Sequence, residues 1–131
     1  MRRAIAAARR AFDDGYFLEP TVFGHVKNEM RIAQEEIFGP VVAVIPYEDE
    51  ADAIRIANDS SYGLFGGFLT NDTGRALALG RQIRTGAVIV NGASNLLDMP
   101  FGGFKESGIG REGGTWGIEE FTEVQSLAWR S

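Results

Sequence analysis

Two adjacent carboxylates, Glu35 and Glu36, are followed two residues after the second by the ring of Phe38 and then by a Gly39–Pro40 break. A carboxylate can accept hydrogen bonds from two neighbouring hydroxyls, as on a ribose. On extended backbone a side chain two positions on falls on the same face, so Phe38 could cover a flat heterocycle beside that sugar. The same residues also read as a loop with two solvated acids and a core Phe, and spacing alone leaves both readings open. Other chemistries are excluded by composition. There is no cysteine in the 131 residues, hence no disulfide, thiolate metal site or thiol nucleophile. The single histidine, His25, cannot build a two-imidazole site, and no metal site is expected. Ser94 and Ser107 lack the glycine pair of a nucleophile elbow. Gly108 to Gly113 spell the dinucleotide fingerprint, yet no predicted strand leads in and no clear helix follows, so these glycines read as a packing loop.

The elements that must position Glu36 follow from hydropathy patterning. Met1 to Phe12 reads as an Ala/Arg-rich helix with Ile5, Ala8 and Phe12 on one face, stopped at Asp13–Gly15. Tyr16 to Val26 looks extended, with strand-forming Thr21, Val22, Phe23 and Val26. Lys27 to Glu36 is loop or a short helical turn. Val41 to Pro46 is a continuous apolar run of the kind covered on both faces in a parallel sheet. Asp49, with Asp52 three residues on, caps a helix carrying Ala53, Ile54 and Ala57 inward. Leu64 to Thr70 is a second buried strand. Asn71 or Asp72 caps a second helix to about Arg84, with Ala76, Leu77, Gly80 and Ile83 on its buried side and Gly86 as its ending glycine. Ala87 to Val90 is a third strand. This alternation predicts an α/β fold with a three-layer βαβαβ parallel sheet core, and ligands gather at the carboxyl ends of such strands. Gly117 to Phe121 reads as a short helical turn. Thr122 to Trp129 reads as a final edge strand that pairs with another chain.

Size bounds the chain to one domain. Its composition, 44% hydrophobic and 24% charged, is that of a globular protein, and a net charge of −5 argues against a nucleic-acid partner. No run is apolar and long enough to cross a membrane. The N-terminal stretch has arginines without the apolar core of a secretion signal, so a cytoplasmic location is expected.

Three stretches make a family pattern: Gly15 to Phe23, Gln34 to Val41, and Pro100 to Glu112. In this order and with these gaps they resemble the C-terminal portion of the aldehyde dehydrogenase superfamily, which oxidises aldehydes to carboxylic acids with NAD or NADP. The resemblance implies that Glu36 holds the nicotinamide ribose and that Phe38 packs near the nicotinamide. It implies that Phe101 lines the aldehyde tunnel together with the loop Ser94, Asn95, Leu96 and Leu97, whose leucines favour an apolar aldehyde. The final strand resembles the family's oligomerisation strand, so self-association or pairing with a full-length relative is expected. The family's nucleophilic cysteine, its general-base glutamate and its Rossmann domain have no counterpart here. Thiohemiacetal chemistry needs a thiolate, so the isolated chain is expected to be inactive. Residues 4–15 resemble a helix that lies near the start of full-length members. Residues 1–15 therefore read as an N-terminal helix joined, through an internal deletion, to a C-terminal catalytic and oligomerisation portion at 16–131.

Overall fold

The computed structural model describes residues 14–93 and 98–130. The helix expected at Met1 to Phe12 and the loop Ser94 to Leu97 lie outside the described residues. Among those described the order is β1 (Thr21–Phe23), α1 (Arg31–Gln34), β2 (Val41–Ala43), α2 (Glu50–Asn58), β3 (Phe65–Phe68), α3 (Thr73–Gly80), β4 (Ala87–Val90), a 3₁₀ turn (Lys105–Ser107) and α4 (Gly114–Glu119). The chain divides into two compact units, residues 1–59 and 60–131.

In the first unit β1 and β2 pair in parallel, Val22 opposite Val42. The ladder is prolonged by Val44 donating to the Phe23 carbonyl and Val26 donating to the Val44 carbonyl, at 2.8 and 3.1 Å. Thr21 and Val26 are buried. β2 is shorter than the run Val41 to Pro46, because Pro46 and the turn into α2 end the ladder. Val42 and Val44 are exposed rather than covered on both faces. α2 starts where expected: the Asp49 carboxylate accepts from the Asp52 amide at 2.8 Å, satisfying one of the orphan donors of the first turn. Asp52 in turn accepts from the Glu48 amide at 3.1 Å, one residue before the cap.

In the second unit β3 and β4 pair in parallel, Phe65 opposite Ala87 through Phe68 opposite Val90, with α3 as the crossover. The sequence expectation of an α/β fold with parallel strands and helical crossovers is observed, each unit holding one two-stranded sheet. Gly66 and Gly67 admit the neighbouring chain closely: a Cβ on Gly67 would stand 2.7 Å from the Ile89 carbonyl oxygen. α3 is capped by Asp72, which accepts from the Arg75 amide at 3.0 Å. It ends at Gly80, not near Arg84, because glycine stabilises helical backbone poorly. Leu77 is exposed rather than on a buried side.

Gly86 does not end a helix. Its amide donates to the Gly63 carbonyl at 2.9 Å, and the backbone of Gly102 and Gly103 crosses directly over it. Gly63 ties three distant segments: its carbonyl also accepts from the Phe104 amide at 2.9 Å, and its amide donates to the Ser107 hydroxyl at 2.9 Å. At the far end of the sheet Asn91, in the left-handed region at φ 53°, donates from its side chain to the Thr70 carbonyl and accepts from the Thr70 amide, both at 2.8 Å. The glycine-rich run 108–113 is followed by α4, against expectation, but only six residues of it, and a 3₁₀ turn rather than a strand leads in. Gly108, Gly110 and Gly113 all have positive φ, which is what this run of glycines permits. Thr122 to Trp129, expected as a strand, is exposed throughout and pairs with no strand among the described residues; only the Thr122 amide is engaged, on the Glu119 carbonyl at 3.0 Å that closes α4. A strand has nothing to pair with until an edge is offered to it.

Candidate functional site

The loop between α1 and β2 is held at both ends. At its start the Glu35 amide donates to the Arg31 carbonyl at 2.9 Å. At its end the Pro40 carbonyl accepts from the Thr21 amide at 2.8 Å, at the buried start of β1. α1 is itself moored, since the Gln34 side-chain amide donates to the carbonyls of Asn28 (2.7 Å) and Asp59 (3.1 Å). Asn28 also donates to the Asp59 carboxylate at 2.6 Å.

The two adjacent acids have opposite fates. Arg31 grips Glu35 with a fork, Nε to Oε1 and a terminal guanidinium nitrogen to Oε2, both at 2.8 Å. This hydrogen bonding holds the Glu35 carboxyl below the usual carboxylate range and raises the guanidinium further. Glu36 is exposed, and its carboxylate forms no hydrogen bond or ion pair among the described residues. Phe38 presents 93% of its surface to solvent, so it is not the core residue that the alternative reading required. A free carboxylate and a bare ring two residues apart, on a loop fastened at both ends, can accept from a diol and cover a planar ring. Both precede β2, so they sit at its amino end, not at a strand's carboxyl end. The sequence reading missed Arg31. Its spacing of four to Glu35 on a helix was the available signal.

Phe101 belongs to the second unit and is half-buried. It forms a two-bond antiparallel bridge with Glu112, at 2.7 and 2.8 Å, and its ring lies 5.6 Å from that of Phe65. It borders an open cavity of about 370 Å³ together with Leu64, Ser107, Arg111, Glu120 and Phe121. The missed organiser here is Arg111. One terminal guanidinium nitrogen donates to the carbonyls of Gly103 and Gly110, and its guanidinium lies 5.4 Å from the Phe104 ring centre. Its own amide donates to Glu120 at 3.2 Å. The other expected substrate residues, Ser94, Asn95 and Leu96, lie outside the described residues. No group of three or more His, Asp or Glu side chains suited to a metal occurs among the described residues, and no described helix is long and apolar enough to cross a membrane.

Comparison with known proteins gives one answer. The model of the aldehyde dehydrogenase family matches residues 3–127. A putative aldehyde dehydrogenase of Staphylococcus saprophyticus is 53% identical over 116 residues, covering 88% of this chain and 24% of its own length. One of Staphylococcus haemolyticus is 54% identical over 114 residues, covering 87% and 24%. Among solved structures, the Mycobacterium tuberculosis aldehyde dehydrogenase complexed with NAD+ superposes with a TM-score of 0.83 at 53% identity, over 88% of this chain and 24% of that one. The NAD+ complex of the Bacillus cereus aldehyde dehydrogenase superposes at 0.85 and 43%, over 90% and 24%. The chain thus spans about a quarter of the length of the relatives it matches.

Proposed function

The chain belongs to the aldehyde dehydrogenase family, and we propose that it supplies the part of such an enzyme that grips the nicotinamide ribose and lines the aldehyde tunnel. The observation that carries this reading is the split fate of the two acids: Glu35 is taken by Arg31, while Glu36 is free beside an exposed Phe38. The Glu36 carboxylate accepts from the two ribose hydroxyls, and Phe38 covers the adjoining ring. The cofactor, NAD or NADP, supplies the hydride acceptor when bound. The residues present fit it on the ribose side, and the two relatives solved with NAD+ support the assignment. On the substrate side Phe101, Ser94, Asn95 and Leu96 border the path of the aldehyde.

The parent reaction is NAD(P)-dependent oxidation of an aldehyde to a carboxylic acid through a cysteine thiohemiacetal. This chain brings no thiol to it, and one carboxylate with one ring offers little binding energy once association costs are met. The 131 residues alone therefore turn over no aldehyde. Residues 16–131 supply a catalytic and oligomerisation portion. The location is cytoplasmic, and neither nucleic acid nor membrane is a partner.

Titration of isotope-labelled chain with NAD tests the reading. Amide shifts confined to residues 36–38, at millimolar affinity, are expected, and they vanish in Glu36→Ala but persist in Glu35→Gln. Shifts that ignore Glu36→Ala sink it. A second reading, a module that pairs with itself or with a full-length relative, is favoured by the exposed side chains of Val124, Leu127 and Trp129. Sedimentation decides it, since a strict monomer that ignores an intact relative removes it.

A further inference from the structure

Of the five asparagines, only Asn91 is followed by glycine. The pair forms an exposed turn directly after β4, with both residues at positive φ, 53° and 72°. In such a pair the glycine amide nitrogen can attack the asparagine side-chain carbonyl carbon, because no β-carbon hinders the approach. The amides on either side are engaged, Asn91 on the Phe68 carbonyl at 3.0 Å and Ala93 on the Val90 carbonyl at 3.1 Å. The Gly92 amide donates to nothing among the described residues, and nothing lies within 4 Å of where its β-carbon would stand. The nucleophile is bare, but the electrophile is held. Thr70 binds the Asn91 side chain twice, its amide on Oδ1 and its carbonyl on Nδ2, each at 2.8 Å. Attack turns the planar carbonyl carbon tetrahedral and expels the nitrogen that Thr70 holds. The reaction therefore proceeds when this latch is open.

We propose that Asn91–Gly92 is a self-modification site gated by its pairing with Thr70. Solvent base takes the Gly92 amide proton, the nitrogen bonds to Asn91 Cγ, and the Cγ–Nδ2 bond breaks with release of ammonia. One water then opens the cyclic imide, at Cγ to give aspartate or at the backbone carbonyl carbon to give isoaspartate. Nothing is oxidised or reduced; water is consumed and ammonia released. The product cannot relatch. An amide offers a donor and an acceptor, and Thr70 uses both, whereas a carboxylate only accepts. The new oxygen faces the Thr70 carbonyl, acceptor against acceptor, and the repulsion drives the group off the Thr70 amide as well. Modification thus releases the carboxyl ends of β3 and β4 permanently. This site is independent of the cofactor reading, which concerns the other unit.

Mass spectrometry and peptide mapping test it, on the full chain kept at mildly alkaline pH, folded and in urea. Expected is one exchange of amide for acid, at Asn91, with isoaspartate among the products, while the other asparagines stay intact. Urea opens the latch and speeds the exchange about tenfold or more, the effect of two lost hydrogen bonds. Gly92→Ala slows it in urea, where the fold plays no part. Asn91→Asp, which makes the aspartate product directly, leaves the far-ultraviolet spectrum unchanged and quickens amide exchange at Thr70 by a similar factor. Three results overturn the proposal: an Asn91 still intact after other asparagines have reacted, equal rates folded and in urea, or unchanged Thr70 exchange in Asn91→Asp.

Discussion

Gly86→Ala reports on how the second unit is closed. A Cβ built on Gly86 falls onto the Gly102 carbonyl, whose carbon it meets at 2.7 Å, with Gly103 Cα at 3.4 Å. These are backbone atoms, so no rotamer change relieves the clash. The carbonyl oxygen overlaps the Cβ most deeply, so restoring ordinary contact at about 3.5 Å requires the 101–104 segment to lift by about 2 Å. That segment is held by the two Phe101–Glu112 backbone bonds and by the Phe104 amide on Gly63, at 2.7 to 2.9 Å. A lift of about 2 Å breaks all three, and at a net value of about 1 kcal/mol each the loss is about 3 kcal/mol, the upper range for overpacking. Urea unfolding followed by tryptophan fluorescence measures it, because both tryptophans, Trp116 and Trp129, lie in this unit. With a slope of about 1.5 kcal/mol/M the midpoint falls by about 2 M. The same substitution at Gly80 is the control. There a Cβ meets only Val88 at 3.9 Å, and alanine favours the end of α3 by up to about 1 kcal/mol. Gly80→Ala therefore holds or raises the midpoint. A Gly86→Ala midpoint within about 0.3 M of the parent, or the two alanines moving it alike, refutes the crossing as described.

Other outcomes follow from single groups. Arg31→Ala moves the Glu35 carboxyl titration, followed by carbon NMR, to higher pH. The lowered native value means that the pair's stabilisation is complete above the ordinary carboxylate value of about 4.3 and is lost as pH falls through the lowered one; an unmoved titration contradicts the fork. Asp49→Ala and Asp72→Ala each destabilise their helices by about 1 kcal/mol, read as faster amide exchange in the first turns of α2 and α3, and Asp→Asn is close to neutral. Asn91→Ala removes both bonds to Thr70 and leaves a β-carbon at φ 53°, costing about 2 kcal/mol, while Asn91→Gly loses less because it keeps the backbone conformation; equal losses argue against the conformational share.

What sequence could and could not convey follows from the range of each interaction. Asp49 and Asp72 were legible as caps because a cap is a contact over three residues. β3, α3 and β4 were legible because apolar runs alternate with a helical stretch. Gly86 was misread as a helix end because its reason lies at Gly102 and Gly63, and no local pattern encodes a crossing backbone. Leu77 was placed inside by helical spacing, yet it is exposed, because spacing identifies a helix face but not what covers it. Glu36 and Phe38 were singled out from spacing and from the family motif. That Glu36, rather than Glu35, is the free acid depended on Arg31 lying in a helix of four residues, too short to carry a periodic signal. Phe101 was found from its motif, but its bridge to Glu112 and its neighbour Phe65 are long-range facts.

The junction at Gly63 sets a tempo for assembly. One residue waits for hydrogen-bonding partners at 86, 104 and 107, so β3 is laid down long before what fastens it arrives. Chains whose fastening is this non-local fold slowly and show bare strands to their neighbours in the interval. Yield on refolding should therefore fall steeply with protein concentration, and a chaperone that shields nascent strands should restore it.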